Sequence, residues 1–258
     1  MSGILHHIDP RGVAKITLNN PERHNAFDDT LIADMTGVLD GFAADPAIRV
    51  VVLRSTGKSF SAGADLNWMR RVADYTAADN RRDAAALGRL MHTLDRLPKP
   101  TLAVVQGAAL GGGMGLAACC DIVLASTAAK FATTEVRLGL IPAVISPYVI
   151  NAIGARHARR YFLTAEVIPA ETAHRIGLVH ELATPDTLEA RAAAMIDTLL
   201  QHAPGAQAEA KALVFLCEGR AADDALQSET AQRIARRRAT PEGREGLQAF
   251  LEKRPPSW

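Results

Sequence analysis

The sequence predicts an α/β fold with substantial parallel strand pairing, followed by a helical C-terminal part. Three observations carry that expectation. Strand-like apolar runs alternate with helical patterns up to about Ser146. Two of those runs lead into small-residue, glycine-bearing turns that open helices. Beyond Ser146 strand signals nearly vanish and helical patterns take over.

The elements follow in order. Val13–Leu18 alternates apolar and polar residues, as a half-buried strand does. Asn19-Asn20-Pro21-Glu22-Arg23 supplies a turn. Asp28-Asp29-Thr30 can cap a helix whose apolar positions are Leu31, Ile32, Met35, Val38, Leu39 and Phe42. Arg49–Leu53 reads as a buried strand and leads to the turn Ser61-Ala62-Gly63-Ala64-Asp65-Leu66. A helix over Asp79–Leu97 places Leu87, Leu90, Met91 and Leu94 on one face. Thr101–Val105 is a further strand, running into Ala108-Ala109-Leu110-Gly111-Gly112-Gly113-Met114-Gly115-Leu116, and Asp121–Leu124 is a third short one. Helices are expected at Tyr148–Ile153, Arg156–Leu163, Ala170–Ile176, Thr187–His202, Ala206–Cys217, Asp223–Arg238 and Glu242–Lys253, with Ser146 read as a cap, a hydrogen bond to a bound molecule being the alternative. No repeat of about 20–50 residues is visible, which speaks against a solenoid.

Bulk properties bound the function. The 258 residues suffice for one large or two small domains, and 48% apolar content permits a sizeable core. A net charge of +1 argues against a broad electrostatic footprint for nucleic acid. No apolar run reaches the roughly 18–20 residues that span a bilayer, so no membrane partner is expected. Met1–Arg11 lacks a signal-peptide core. Cys119, Cys120 and Cys217 read as reduced packing residues of a cytoplasmic protein, and no metal-ligand spacing appears.

Chemistry concentrates in the two glycine turns. Backbone N–H groups at Ala64 and Gly112 fall where strands give way to helices, and missing side chains let a ligand approach them. Either turn alone is explained by tight packing. Both in one context point to a pair of donors converging on one oxygen, as stabilisation of an enolate requires. Glu135 lies inside the apolar, hydroxyl-bearing stretch Phe131–Pro142, where desolvation would raise its pKa and suit it to proton transfer. An ion pair with Arg137 is the alternative. Trp68-Met69-Arg70-Arg71 either walls a pocket or packs, and the arginines at 233 and 236–238 read as a solvated face or an oligomer salt-bridge network.

Ser61–Leu66, Gln106–Gly113, Glu135 with Gly139 and Pro142, Asn19–Ala26 and Phe250–Arg254 together resemble the enoyl-CoA hydratase/isomerase (crotonase) superfamily, from about residue 4 to 254. The resemblance implies a ClpP-like spiral of ββα turns with a C-terminal helical trimerisation region. It divides the chain into a core over 1–195, with CoA and active site, and an oligomerisation region over 196–258. It implies an acyl-CoA thioester as partner, no cofactor beyond the CoA of the substrate, and a homotrimer or dimer of trimers. Ala64 and Gly112 match the oxyanion-hole donors, and Glu135 matches the second of two catalytic glutamates. Ala26, Ala62, Asp65 and Leu66 match positions around CoA; Arg23 and Lys253 are phosphate contacts by the same likeness, and Trp68 a wall of the acyl pocket.

One departure stands out. The family's first glutamate position is Gly115 here. A lone carboxylate fits a Δ3/Δ2 double-bond shift, and fits hydration if another group or a substrate carboxylate orients the water. Cys119-Cys120-Asp121, Glu135–Pro147 and Ala158–Tyr161 look like bacterial methylglutaconyl-CoA hydratase-type members, of leucine and terpene breakdown, which favours hydration as the expected reaction. Ala143-Val144-Ile145-Ser146 replaces the family's glycines and is expected to reshape the acyl pocket. A non-catalytic CoA-binding or RNA-binding role is the remaining alternative.

Overall fold

The computed structural model describes residues 3–258. Strand β1 (Ile4–Ile8) pairs antiparallel with β2 (Val13–Leu18). β1 has no alternating pattern because it is an edge strand with only Ile4 buried, so its sequence carries no strand signal. Helix α1 (Asp29–Ala44) starts where expected: the Asp28 side chain accepts from Leu31 N. Its buried face is Leu31, Ile32, Met35, Leu39 and Phe42.

The chain then makes three successive turns of a spiral. Each places one strand in a first sheet, a second in another sheet, and then a helical segment. The first turn is β3 (Val50–Ser55), β4 (Ser59–Ser61) and α2 (Leu66–Val72), with α3 (Ala77–Asp95) appended. The second is β5 (Thr101–Val105), β6 (Ala108–Leu110) and α4 (Gly112–Ala118). The third is β7 (Ile122–Ser126), β8 (Lys130–Ala132), a 3₁₀ turn at Glu135–Leu138 and α5 (Ser146–Thr164). After β9 (Ile168–Pro169), α6 (Ala170–Arg175) and β10 (Glu181–Ala183), the chain continues through α7 (Leu188–Leu200), α8 (Pro204–Cys217), α9 (Asp224–Ala239) and α10 (Pro241–Leu251).

The larger sheet has the order β1-β2-β3-β5-β7-β10, parallel apart from β1. The smaller has the order β4-β6-β8-β9, parallel apart from β9. Both faces of the larger sheet are covered, which is why Val50–Leu53 reads as an unbroken apolar run. One face packs Val51, Leu53 and Ala103 against residues such as Met35 and Leu39 of α1 and Leu90 and Leu94 of α3. The other packs Val50, Val52, Leu102 and Val104 against Leu188, Ala192 and Ile196 of α7. Each large apolar side chain so buried contributes roughly 1.5–3 kcal/mol.

Several boundaries differ from expectation. Tyr148–Ile153 and Arg156–Leu163 belong to one element, α5, bent at Gly154, whose φ of +73° and ψ of 153° break the helical run. Ser146 is not the cap; Ile145 is, and the Ser146 hydroxyl donates back to Ala143 O at 2.8 Å. The region past Ser146 does contain strands, but β9 and β10 have two and three residues and are too short for a periodic signal.

Helices α8–α10 lie largely open on the single chain, with only Leu226 and Ala249 buried. Phe250 and Leu251 are 80% and 78% exposed. The arginine run makes ion pairs within the chain: Arg233 with Glu229 at 2.8 Å, and Arg237 with Glu209 and Glu242. Among the described residues no helix is long and apolar enough to cross a membrane.

Candidate active site

The two glycine turns meet because β4 and β6 are neighbours in the smaller sheet. A Cβ added to Gly63 would lie 2.9 Å from Leu110 O and 3.7 Å from Gly112 N, and one on Gly113 would lie 2.7 Å from Ser61 O. Gly111 carries the strand into α4 with φ +50° and ψ −121°, a conformation closed to L side chains. Around Ala64 the backbone is held on both sides: Phe27 N donates to Gly63 O at 2.8 Å, and Asp65 N donates to Phe27 O at 3.0 Å. The N–H groups of Ala64 and Gly112 themselves have no acceptor among the described residues.

Glu135 opens the 3₁₀ turn after β8 and reaches back over the second glycine turn. Its Oε1 lies 3.1 Å from where a Cβ on Gly111 would stand. Its Oε2 is buried with no hydrogen-bond partner among the described residues. Burial pushes the carboxyl above the ordinary glutamate range, against the backbone N–H groups of Glu135 and Thr134 that draw it down. The alternative ion pair is not made; Arg137 instead donates to Ala165 O. Two unpartnered N–H groups and an unpartnered carboxylate oxygen thus border a single cavity of about 390 Å³, lined by Ala62, Ala64, Trp68, Gly112 and Glu135 among others.

The expected site residues divide at this cavity. Ala62, Ala64, Trp68, Gly112 and Glu135 line it, as do Ala143, Val144 and Ile145. Arg23, Ala26, Asp65 and Leu66 do not. Arg23 donates to Asp65 Oδ2 at 3.2 Å, while Asp65 Oδ1 caps α2 by accepting from Asn67 N and Trp68 N. Those contacts pull the Asp65 carboxyl below its ordinary value, although burial alone would raise it. Ala26 is half-buried, donating to Arg23 O, and Leu66 is 69% exposed. Lys253 follows α10 and does not line the cavity. Gly115 is buried behind Ile145: an added Cβ would collide with Ile145 Cγ2 and stand 2.8 Å from Ile145 Cβ and 3.3 Å from Met91 Cε. No side chain larger than hydrogen fits there without moving Ile145.

Several lining residues escaped the sequence reading, Phe27 and Asp83 among them. Phe27 fills the space against Gly112, where an added Cβ would strike its ring. Asp83 lines the cavity from α3 and accepts from Trp68 Nε1 at 3.1 Å. The available signal was its place four residues before Leu87, on the apolar face of that helix.

Comparison with known proteins agrees with this geometry. The family model described as enoyl-CoA hydratase/isomerase matches residues 9–258. The chain belongs to the enoyl-CoA hydratase/isomerase family. A crotonyl-CoA hydratase of Syntrophomonas wolfei is 33% identical over 94% of this chain and 92% of its own. Among solved structures, an enoyl-CoA hydratase from Shewanella pealeana superposes with a TM-score of 0.96 at 46% identity, covering 99% of this chain and 96% of that one. One from Mycobacterium smegmatis has a TM-score of 0.94 at 31% identity, covering 100% and 99%. The fold is therefore the crotonase fold, with two mixed sheets and C-terminal helices, and the protein is an enzyme of the enoyl-CoA hydratase/isomerase family.

Proposed function

We propose that the protein adds water to, or removes it from, the C2–C3 bond of an enoyl-CoA thioester. The N–H groups of Ala64 and Gly112 hold the thioester oxygen, and Glu135 moves the proton or activates water. The observation that carries this reading is the buried, unpartnered Glu135 Oε2 beside two unpartnered N–H groups on one cavity. Each donor aimed at a developing oxyanion lowers the barrier by roughly 3–4 kcal/mol. Ala26, Ala62, Asp65 and Leu66 flank the CoA; Arg23 contacts its phosphates when it leaves Asp65, and Lys253 contacts them from the chain's C-terminal end. Residues 1–195 form the catalytic core, and 196–258 drive assembly into a homotrimer or a dimer of trimers. The free, buried Cys119 and Cys120 and the free Cys217 suit the reducing cytoplasm.

The acyl group is of the methylglutaconyl type, a branched enoyl chain ending in a carboxyl, as the likeness over Glu135–Pro147 suggests. A second reading is isomerisation between Δ3 and Δ2 double bonds. It is favoured by the closure of Gly115 by Ile145, which leaves Glu135 alone near the paired N–H groups.

Purified protein incubated with crotonyl-CoA, a 3-enoyl-CoA and methylglutaconyl-CoA separates the readings. Water addition without double-bond migration is the expected result; migration alone establishes the isomerase. Glu135→Gln is expected to lower turnover at least about 100-fold. Near-normal rates in that variant would remove Glu135 from the mechanism.

A further inference from the structure

Ser61 closes β4, opposite Ala109 of β6 and just past a register shift in that pairing. It is fully buried and touches both glycine turns. On its own turn, Gly63 N donates to Ser61 Oγ at 3.1 Å. On the other, a Cβ added to Gly113 would stand 2.7 Å from Ser61 O and 2.9 Å from Ser61 Cβ. The first turn of α4 therefore rests against this residue.

The hydroxyl has a single proton, which it donates to Asn25 O at 2.8 Å, and its lone pairs are left for Gly63 N. Asn25 is itself held firmly. It is 1% exposed, in left-handed backbone with φ +53°. Its Nδ2 donates to Thr56 O at 2.7 Å and Ser59 O at 2.8 Å, and its Oδ1 accepts from Asn20 N at 2.8 Å.

Residues 24–27 also take up the amides on either side. Ala62 N donates to His24 O at 2.9 Å, Asp65 N donates to Phe27 O at 3.0 Å, and Gly63 O accepts from Phe27 N at 2.8 Å. Of the amides of residues 62–65, that of Ala64 alone has no acceptor among the described residues. In a trans peptide its N–H points opposite to the Gly63 carbonyl, and so away from Phe27. The aim of that N–H follows the conformation of Gly63, whose φ of +85° is held on the N side by Ser61 Oγ.

We propose that Ser61 is a positioning residue, its hydroxyl aiming the Ala64 N–H at the thioester oxygen alongside the Gly112 N–H. This rests on the reading of the cavity as an acyl-CoA site and names what holds its donor pair in place. Without the hydroxyl, Gly63 N loses its acceptor and Gly63 turns more freely about φ, which swings the Ala64 N–H off its target.

The test is difference infrared spectroscopy of butyryl-CoA isotope-labelled at the thioester carbonyl, bound at saturation to wild type and Ser61→Ala. A carbonyl gripped by two donors stretches at lower frequency than the free ester. The band should fall on binding to wild type, and by about half as much or less in Ser61→Ala, where one donor of the pair is misaimed. With crotonyl-CoA, kcat should drop about tenfold or more while KM changes little, since the lost interaction grows in the transition state. Thr36→Val is the control: it removes a buried hydroxyl that donates to Ile32 O within α1, and it should keep the full infrared shift. Should Ser61→Ala fail to fold, Ser61→Cys carries the test, since a thiol of similar size is a poorer donor and acceptor and should give an intermediate shift. A full shift in either Ser61 variant, or an equal loss in Thr36→Val, overturns the role of Ser61. No shift in wild type removes the paired-donor reading itself, and this proposal with it. Butyryl-CoA has no double bond to hydrate, so the infrared result stands apart from the choice between hydration and isomerisation.

Discussion

At the scale of single residues, Glu135 stands in an environment that works against the fold. Burial raises its carboxyl pKa in the native state, so the native chain holds that proton to higher pH than the unfolded chain does. Its contribution thus favours folding in acid and turns against folding as pH rises through the raised value. Glu135→Gln should therefore melt at a higher temperature than wild type at neutral pH, with the gap closing on acidification below the ordinary glutamate range. If Glu135 is the base, as proposed, the same shift moves the acid limb of the kcat/KM profile above the ordinary glutamate value, because the base must be ionised. Gly115 makes the opposite trade, a small residue retained for packing. Gly115→Ala should destabilise by about 1–3 kcal/mol through overpacking against Ile145. Adding Ile145→Ala should cost less in that background than in wild type, a coupling that a denaturation cycle over the four proteins measures.

At the scale of elements, α2 shows how a local rule supports the site. Asp65 uses Oδ1 on two N–H groups of the first turn and Oδ2 on Arg23, and thereby seats Trp68 on the cavity wall. Asp65→Ala is expected to cost about 1 kcal/mol in urea denaturation. The loss should be largest at neutral pH and shrink as pH falls through the depressed Asp65 pKa, since wild type then loses the same contact. The sequence made such features readable where they are local. The Asp28 cap, the apolar face of α1 and the doubly buried run at Val50–Leu53 could all be taken from spacing. That Ala64, Gly112 and Glu135 gather at one cavity was legible because main-chain donors need only small residues at strand ends. What could not be read was long-range. β1 buries one residue, β9 and β10 are shorter than any period, and the bonding of Asp83 to Trp68 joins helices α3 and α2. Arg23 and Asp65 illustrate the same limit, since residues matched to CoA also satisfy each other across 42 positions.

At the scale of the whole molecule, the spiral has no sequence repeat because its turns are unequal. β3 begins at Val50, β5 at Thr101 and β7 at Ile122, and the first interval is lengthened by α3. That inserted helix brings Asp83, Ala84 and Leu87 to the cavity, so the part that hides the repeat also shapes the cavity wall. The open apolar residues of α8–α10 belong at this scale as well. Val214, Leu247, Phe250 and Leu251 are each more than half exposed on the single chain. If they form the assembly surface, Phe250→Asp with Leu251→Asp should shift the light-scattering mass from an oligomer to a monomer. An unchanged mass would place the interface elsewhere.

The adjacency of β4 and β6 has a consequence for how this protein can diverge. Parallel neighbours in a sheet stand about 4.8 Å apart whatever side chains they carry. The spacing of the amides that follow them is thus a property of the ladder and is inherited intact when sequence drifts. Walls built from Asp83, Val144 and Ile145 can be exchanged one by one, reshaping the cavity, while the pair of amides proposed to hold the thioester oxygen persists. A library randomised at those three positions should yield many altered selectivities and few variants that no longer bind CoA esters.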